Sequence, residues 1–250
     1  MFRDEQLQRY ARNFLLKDVG GHGQQALLAA HVLIVGAGGL GSPVALYLAA
    51  SGVGQLTLAD ADTVELSNLQ RQVIHTTARC GENKSESAAT TLRAINPDIN
   101  ITPLPLRLEG EALALAIEAA DLVVDATDNF TSRYAINALC VEKQKKLVSG
   151  AVMGWEGQVA AFAGFRPGLP CYRCLYPPTE AMDALQPCAR SGVLGPAAGV
   201  IGTLQAAEVI RQLVGLSEEN LQRVTFVDLH SWRFYSMTMR AQAHCPVCGG

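Results

Sequence analysis

His31-Val-Leu-Ile-Val-Gly36-Ala-Gly38-Gly-Leu-Gly41 is the stretch that decides the fold. Val32 to Val35 form an unbroken apolar run, the mark of a parallel strand buried on both faces. Gly36, Gly38 and Gly41 then match G-x-G-x-x-G at the strand's end. The first glycine suits a tight turn, the second the close approach of a phosphate, and the third close helix-on-strand packing. The helix that follows directs N–H groups and the positive end of its dipole toward an anion. A second strand, Gln55-Leu-Thr-Leu-Ala-Asp60, ends in an acid 19 residues past Gly41, the place of a ribose-binding carboxylate. Taken alone, the glycine pattern most often means NAD or FAD binding. A packing turn with no ligand is the plainer alternative.

Outward from this unit, strands and helices alternate. We expect helices over 4–19, 23–30, 83–96, 110–119 and 130–142, and strands over 99–104, 122–125 and 147–150. The rhythm then changes. Residues 157–165 alternate like an antiparallel strand, and 166–195, rich in Pro, Gly and Cys, read as a long loop. A helix over 197–214 precedes strands at 224–228 and 233–239. The expected fold is α/β: a Rossmann-like, mostly parallel sheet extended by antiparallel strands. We expect a single domain over residues 1–250. Its parts are N-terminal helices (1–30), a nucleotide-binding βα region (31–150), and an antiparallel extension with a crossover loop and metal site (151–250).

The 250 residues are 49% hydrophobic and 17% charged, as in a globular protein with a sizeable core. A net charge of −3 without a basic cluster argues against nucleic acid, and no apolar run reaches the length of a membrane span. The N-terminal stretch lacks the apolar core of a signal peptide, so a cytoplasmic location is the default expectation.

Three constellations carry chemistry. Asn68, Arg71, Lys84 and Asp128 fall near strand ends beside the glycine turn. A dinucleotide oxidoreductase needs no pair of cations there. A nucleoside triphosphate does, because its leaving pyrophosphate needs Arg or Lys, and a carboxylate such as Asp128 can hold Mg²⁺. Cys171-Tyr-Arg-Cys174 and Cys245-Pro-Val-Cys248 are two C-x-x-C knuckles, four thiolates suited to a closed structural Zn²⁺ site. The metal would staple the long loop to the C-terminal segment; His244 breaks the spacing and is taken as a bystander. Cys188 lies outside both knuckles, with Arg190 near; a neighbouring cation favours a reactive thiolate, and a small packed side chain is the alternative. Cys80 and Cys140 are assigned to packing.

Together these features resemble the ThiF/MoeB family, relatives of ubiquitin-activating enzymes. The resemblance runs over essentially the whole chain. It rests on RYARN (9–13), VLIVGAGGLGSP (32–43), DADTVELSNLQRQ (60–72), NKSES (83–87), DATDN (125–129), CYRCL (171–175), GVIGTLQAAEVI (199–210) and CPVC (245–248). It implies an adenylyltransferase that uses ATP and Mg²⁺ on the C-terminal glycine of a ubiquitin-like sulfur-carrier protein ending in Gly-Gly, releasing pyrophosphate. By position, Gly39 and Asp60 would contact the nucleotide, and Ser67, Asn68, Leu69, Gln70 and Arg71 would line the triphosphate. Arg71 and Lys84 would stabilise the pyrophosphate, and Asp128 would position Mg²⁺ with Asn129 beside it. The family is homodimeric, and Arg12 matches an arginine that reaches into the partner's site. Cys188 matches a cysteine that can join covalently to the carrier in thiamin-type members. The carrier would be ThiS or MoaD, since stretches of the chain lean toward each branch. With no rhodanese segment after Gly250, a separate sulfurtransferase is expected. An NAD(P)-dependent oxidoreductase is the alternative reading.

Overall fold

A computed structural model of the chain describes residues 2–178, 192–216 and 218–249. Cys188 and residues 179–191 of the expected long loop fall outside the described residues. An eight-stranded mixed sheet forms the centre, in the order β3-β2-β1-β4-β5-β6-β7-β8. The parallel half contains β1 (His31–Val35), β2 (Gln55–Ala59), β3 (Asn100–Leu104), β4 (Leu122–Asp125) and β5 (Lys146–Met153). The chain then turns antiparallel through β6 (Glu156–Phe162), β7 (Arg223–Asp228) and β8 (Arg233–Thr238).

β1 shows why the apolar run reads as it does. Val32 and Ile34 point into one core, with Val44, Leu48 and Leu92, while Leu33 and Val35 point into the other, with Leu113, Ile117 and Ile136. A strand covered on both faces has no polar side to alternate. Helices α3 (Gly20–Ala29), α4 (Gly41–Ser51), α5 (Lys84–Ile95) and α9 (Gly195–Leu213) supply the first core, and α6 (Gly110–Ala119) and α7 (Phe130–Glu142) the second. α8 (Tyr172–Leu175) is a single short turn inside the expected long loop. Asn83 caps α5, its side-chain oxygen accepting from the N–H of Ser85 at 2.8 Å. Among the described residues no helix is long and apolar enough to cross a membrane.

The expected helix over 4–19 is two pieces instead, α1 (Asp4–Arg9) and α2 (Ala11–Phe14). The break falls at Tyr10, which is buried while Leu7, Leu15 and Leu16 are exposed. The Tyr10 ring fills the space a side chain at Gly52 would need, and Gly52 ends α4 with φ +82°. The Tyr10 hydroxyl accepts from the Asn96 amide at 2.9 Å. A long-range anchor thus overrides the local period. Cys140 is buried as expected, but Cys80 is exposed at the end of a 3₁₀ turn, so it does not pack in the core.

Candidate nucleotide-binding site

A cleft of about 1140 Å³ opens at the carboxyl ends of β1, β2 and β4, where the strand order reverses. Open α/β sheets bind ligands at such a switch point. The glycine turn forms its floor. Gly36 has φ +100°, and a Cβ there would meet the Ala126 carbonyl oxygen at 2.7 Å; one on Gly41 would meet the Gly36 carbonyl oxygen at 1.9 Å. Gly38 has only the Gln72 amide nitrogen, at 3.5 Å from such a Cβ, so the space above it is open. The three glycines therefore divide into a turn, an approach point and a packing contact, as their spacing implies. Gly38, Gly39 and Leu40 line the cleft just before α4, whose own Ser42 and Val44 N–H groups donate to the Gly38 and Leu40 carbonyls.

Asp60 stands at the end of β2. Its two oxygens accept from the N–H groups of Ala37 (2.7 Å) and Asp62 (2.9 Å), which fixes the carboxylate while leaving lone pairs for hydroxyl donors. Burial pushes its pKa above the ordinary carboxylate value, against the pull of those N–H groups and of Lys84. Lys84, first residue of α5, is buried, and its ammonium donates to the Asp62 carboxylate at 2.7 Å. The loop and the helix start are strapped together further: the Lys84 N–H donates to the Asp62 carbonyl at 2.9 Å, and the Asn83 amide to the Asp60 carbonyl at 2.9 Å. The end that would hold ribose and the cation that would hold phosphate are thereby one rigid unit.

The 3₁₀ turn Leu66–Asn68 carries the next group. Asn68 and Arg71 line the cleft, with Gln70 and the buried Gln72. The Arg71 guanidinium donates to the Ser67 carbonyl at 3.3 Å. Ser67 and Leu69, expected to contact the triphosphate, are not among the residues lining the cleft. A 3₁₀ turn points consecutive residues in different directions, so a contiguous run cannot all face one ligand. Opposite, Asp128 and Asn129 line the cleft at the start of α7; Asp128 is exposed, and Asn129 caps the helix by accepting from the Ser132 N–H at 2.9 Å. Arg12 lies on exposed α2 and does not line this cleft.

Residues absent from the sequence-level site complete it. Asp62 is the counter-charge of Lys84. Buried Asp125 accepts from the Thr127 N–H (3.0 Å), the Thr127 hydroxyl (2.6 Å) and the Ser149 hydroxyl (2.7 Å), shaping the turn that presents Asp128. Arg133 donates to the Thr127 carbonyl at 2.6 Å. Only the Asp125-Ala-Thr127 spacing hints at this turn in the sequence.

Beside Val141 near the end of α7, the sulfurs of Cys171, Cys174, Cys245 and Cys248 all lie within 4.8 Å of one another. Neighbouring pairs are 4.0, 3.7 and 3.4 Å apart. Zinc–sulfur bonds of about 2.3 Å would set tetrahedral sulfurs about 3.8 Å apart, so the four thiols fit such an ion. Burial pushes the thiols of Cys171 and Cys174 up. At Cys245 burial acts the same way but is outweighed by hydrogen bonds from the N–H groups of Cys248 and Val247 and from the thiols of Cys248 and Cys171, leaving it at about 7. His244 is exposed and outside the cluster.

Residues 10–248 match the ThiF family. The chain is 45% identical over 248 residues to the sulfur carrier protein ThiS adenylyltransferase of Escherichia coli, covering 99% of this chain and 97% of that one. It is 44% identical over 246 residues to the molybdopterin-synthase adenylyltransferase of the same organism, covering 98% of each. Among solved structures it is similar to E. coli MccB with ATP, at a TM-score of 0.82 and 26% identity, over 96% of this chain and 73% of that one. Nothing in these relatives supports an oxidoreductase. With the match running from Tyr10 to Cys248, this chain belongs to the ThiF family.

Proposed function

We propose that this protein adenylylates the C-terminal glycine of a ubiquitin-like sulfur-carrier protein, consuming ATP and releasing pyrophosphate. The observation that carries the reading is the convergence of the glycine turn, Asp60, Arg71, Lys84 and Asp128 on one cleft. The resemblance of the chain to adenylyltransferases acting on sulfur carriers supports it.

The chemistry follows from charge. A terminal carboxylate, with a pKa of about 3.5, is ionised at neutral pH and attacks the α-phosphate without a general base. Two anions must meet and a polyanion must leave, so catalysis rests on orientation and on cations placed before the reaction. Asp60 holds the ribose, the glycine turn before α4 receives the phosphates, and Arg71 and Lys84 neutralise the departing pyrophosphate. Lys84 reaches it by leaving or sharing Asp62, a largely exposed acid that competes weakly. Asp128, an exposed carboxylate at the rim beside the Asn129 amide, fits Mg²⁺, which is usually held by one or two carboxylates together with phosphate oxygens. Mg²⁺ bound there would add positive charge on the phosphates. The four-thiol cluster is a structural Zn²⁺ site. Arg12 serves the cleft of a second copy in a homodimer, which accounts for its position away from the cleft of its own chain.

The two E. coli relatives are named for different acceptors, ThiS and molybdopterin synthase, at nearly equal identity, so the test uses a carrier from each branch. ATP–pyrophosphate exchange is measured with ThiS and with MoaD, each ending in Gly-Gly, on zinc-loaded protein. Carrier-dependent exchange with either is expected. Its absence with both, from folded and zinc-loaded protein, refutes the reading.

A further inference from the structure

His75 is buried beneath the cleft without lining it. One ring nitrogen, Nε2, lies 3.0 Å from the Ala37 carbonyl oxygen, and the other, Nδ1, 2.9 Å from the Ser87 hydroxyl. A carbonyl only accepts, so Nε2 carries the proton; in the neutral ring Nδ1 then accepts from the Ser87 hydroxyl. Ala37 lies between Gly36 and Gly38, and its N–H is already held by Asp60 at 2.7 Å. Both backbone polar groups of this one residue are therefore clamped, the N–H by Asp60 and the carbonyl by His75.

We propose that His75 is a positioning residue for the nucleotide: through the Ala37 carbonyl it fixes the glycine turn that receives the phosphates, with Ser87 selecting its tautomer. The inference rests on the reading of the cleft as a nucleotide site. It explains why an imidazole is buried at a place where no proton transfer is needed. The clamp requires a proton on Nε2, and Ser87 can select that tautomer only in the neutral ring, the form its surroundings favour. Burial pulls the His75 pKa below the ordinary imidazole value, and Lys84 and Arg79 act in the same direction, against the Ala37 hydrogen bond and Asp60. The groups facing the ring thus come from the glycine turn, the end of β2, the 3₁₀ turn before α5, and α5 itself.

Three proteins test this: wild type, His75→Phe and His75→Gln. Phenylalanine keeps a flat ring but cannot donate to the Ala37 carbonyl. Glutamine places an amide N–H close to the position of Nε2. ATP binding is measured by calorimetry and exchange kinetics are split into KM and kcat, with zinc content and melting temperature as controls. His75→Phe should weaken ATP binding and raise KM for ATP about tenfold, the usual cost of leaving a buried carbonyl unpaired, with kcat much less affected. His75→Gln should recover most of the loss. Equal impairment in both variants, or wild-type ATP affinity in His75→Phe, overturns the proposal. Nitrogen NMR of the wild-type imidazole decides the matter independently of any variant's folding. A neutral Nε2–H tautomer through pH 6–8 is expected; an Nδ1–H tautomer or an imidazolium at neutral pH overturns it. If wild-type protein binds no ATP, the nucleotide reading fails instead, and the tautomer still reports on the clamp.

Discussion

Two alanine substitutions, three residues apart, separate what the glycine turn does for folding from what it does for the ligand. A Cβ on Gly41 would lie 1.9 Å from the Gly36 carbonyl oxygen and 2.9 Å from its carbon, whereas real Cβ atoms essentially never come within 3.0 Å. Relief requires the start of α4 to move out by about 1.1 Å, against backbone that cannot rotate away. α4 carries fully buried Val44, Ala45 and Leu48, so the shift is felt through the core. Overpacking of this kind costs about 1–3 kcal/mol, and an obstruction by backbone belongs at the upper end. The gain of up to about 1 kcal/mol from alanine's helix propensity offsets only part, and less at a first helical residue. Gly41→Ala should therefore lose about 2 kcal/mol, a fall in Tm of roughly 4–8 °C for a chain of this size. At Gly38 the nearest atom to a new Cβ is 3.5 Å away, an ordinary contact. Gly38→Ala should keep stability within about 0.5 kcal/mol. Its methyl group occupies the approach to the turn, so ATP affinity should fall by tenfold or more, about 1.4 kcal/mol at the least. Thermal unfolding and ATP titration on both variants read the two effects separately. Wild-type ATP affinity in Gly38→Ala, or a wild-type melting temperature in Gly41→Ala, would refute the division of roles.

Lys84→Ala should slow pyrophosphate exchange by about 10²–10³-fold, the usual effect of removing one preorganised charge, and circular dichroism should show an intact fold because the acid left behind, Asp62, is 71% exposed. Asp128→Ala should show a similar loss that excess Mg²⁺ partly restores; unchanged exchange in either variant removes that residue from the mechanism. Cys171→Ser should release zinc, seen by elemental analysis, and lower Tm, since binding energy at such a site is folding energy. A raised pKa at Asp60 means that the folded protein holds that proton more tightly than the unfolded chain does. Asp60 thus adds stability at low pH that is lost as pH rises through its folded value. ATP binding runs the other way, because the carboxylate is the acceptor. Affinity should fall on acidification at a pH above that of an ordinary Asp, and Asp60→Asn should abolish that limb of the profile.

Much of the site was legible because its signals are local. The strand before Gly36, the acid at the end of β2, the Asn83 cap of α5 and the two cysteine knuckles each declare themselves within a few residues. Expected helices at 110–119 and 130–142 and the strand at 122–125 match the structure to the residue. The N-terminal helix failed for the opposite reason: its helical spacing was real, but Tyr10 was drawn into a contact with Gly52 far along the chain.

The sequence by itself determined the doubly wound sheet, the nucleotide turn and the identity of the four thiols, because periodicity, glycine spacing and cysteine spacing act over short distances. Tertiary structure alone decided which side chains meet. It paired Lys84 with Asp62 across 22 residues, brought His75 to Ala37 across 38, and set Cys171 against Cys245 across 74. It also left Ser67 and Leu69 out of the cleft lining and Arg12 on α2, outside it. The physical reason is the same in each case: a side chain's partners depend on how helices pack across the sheet, and no local pattern encodes that geometry.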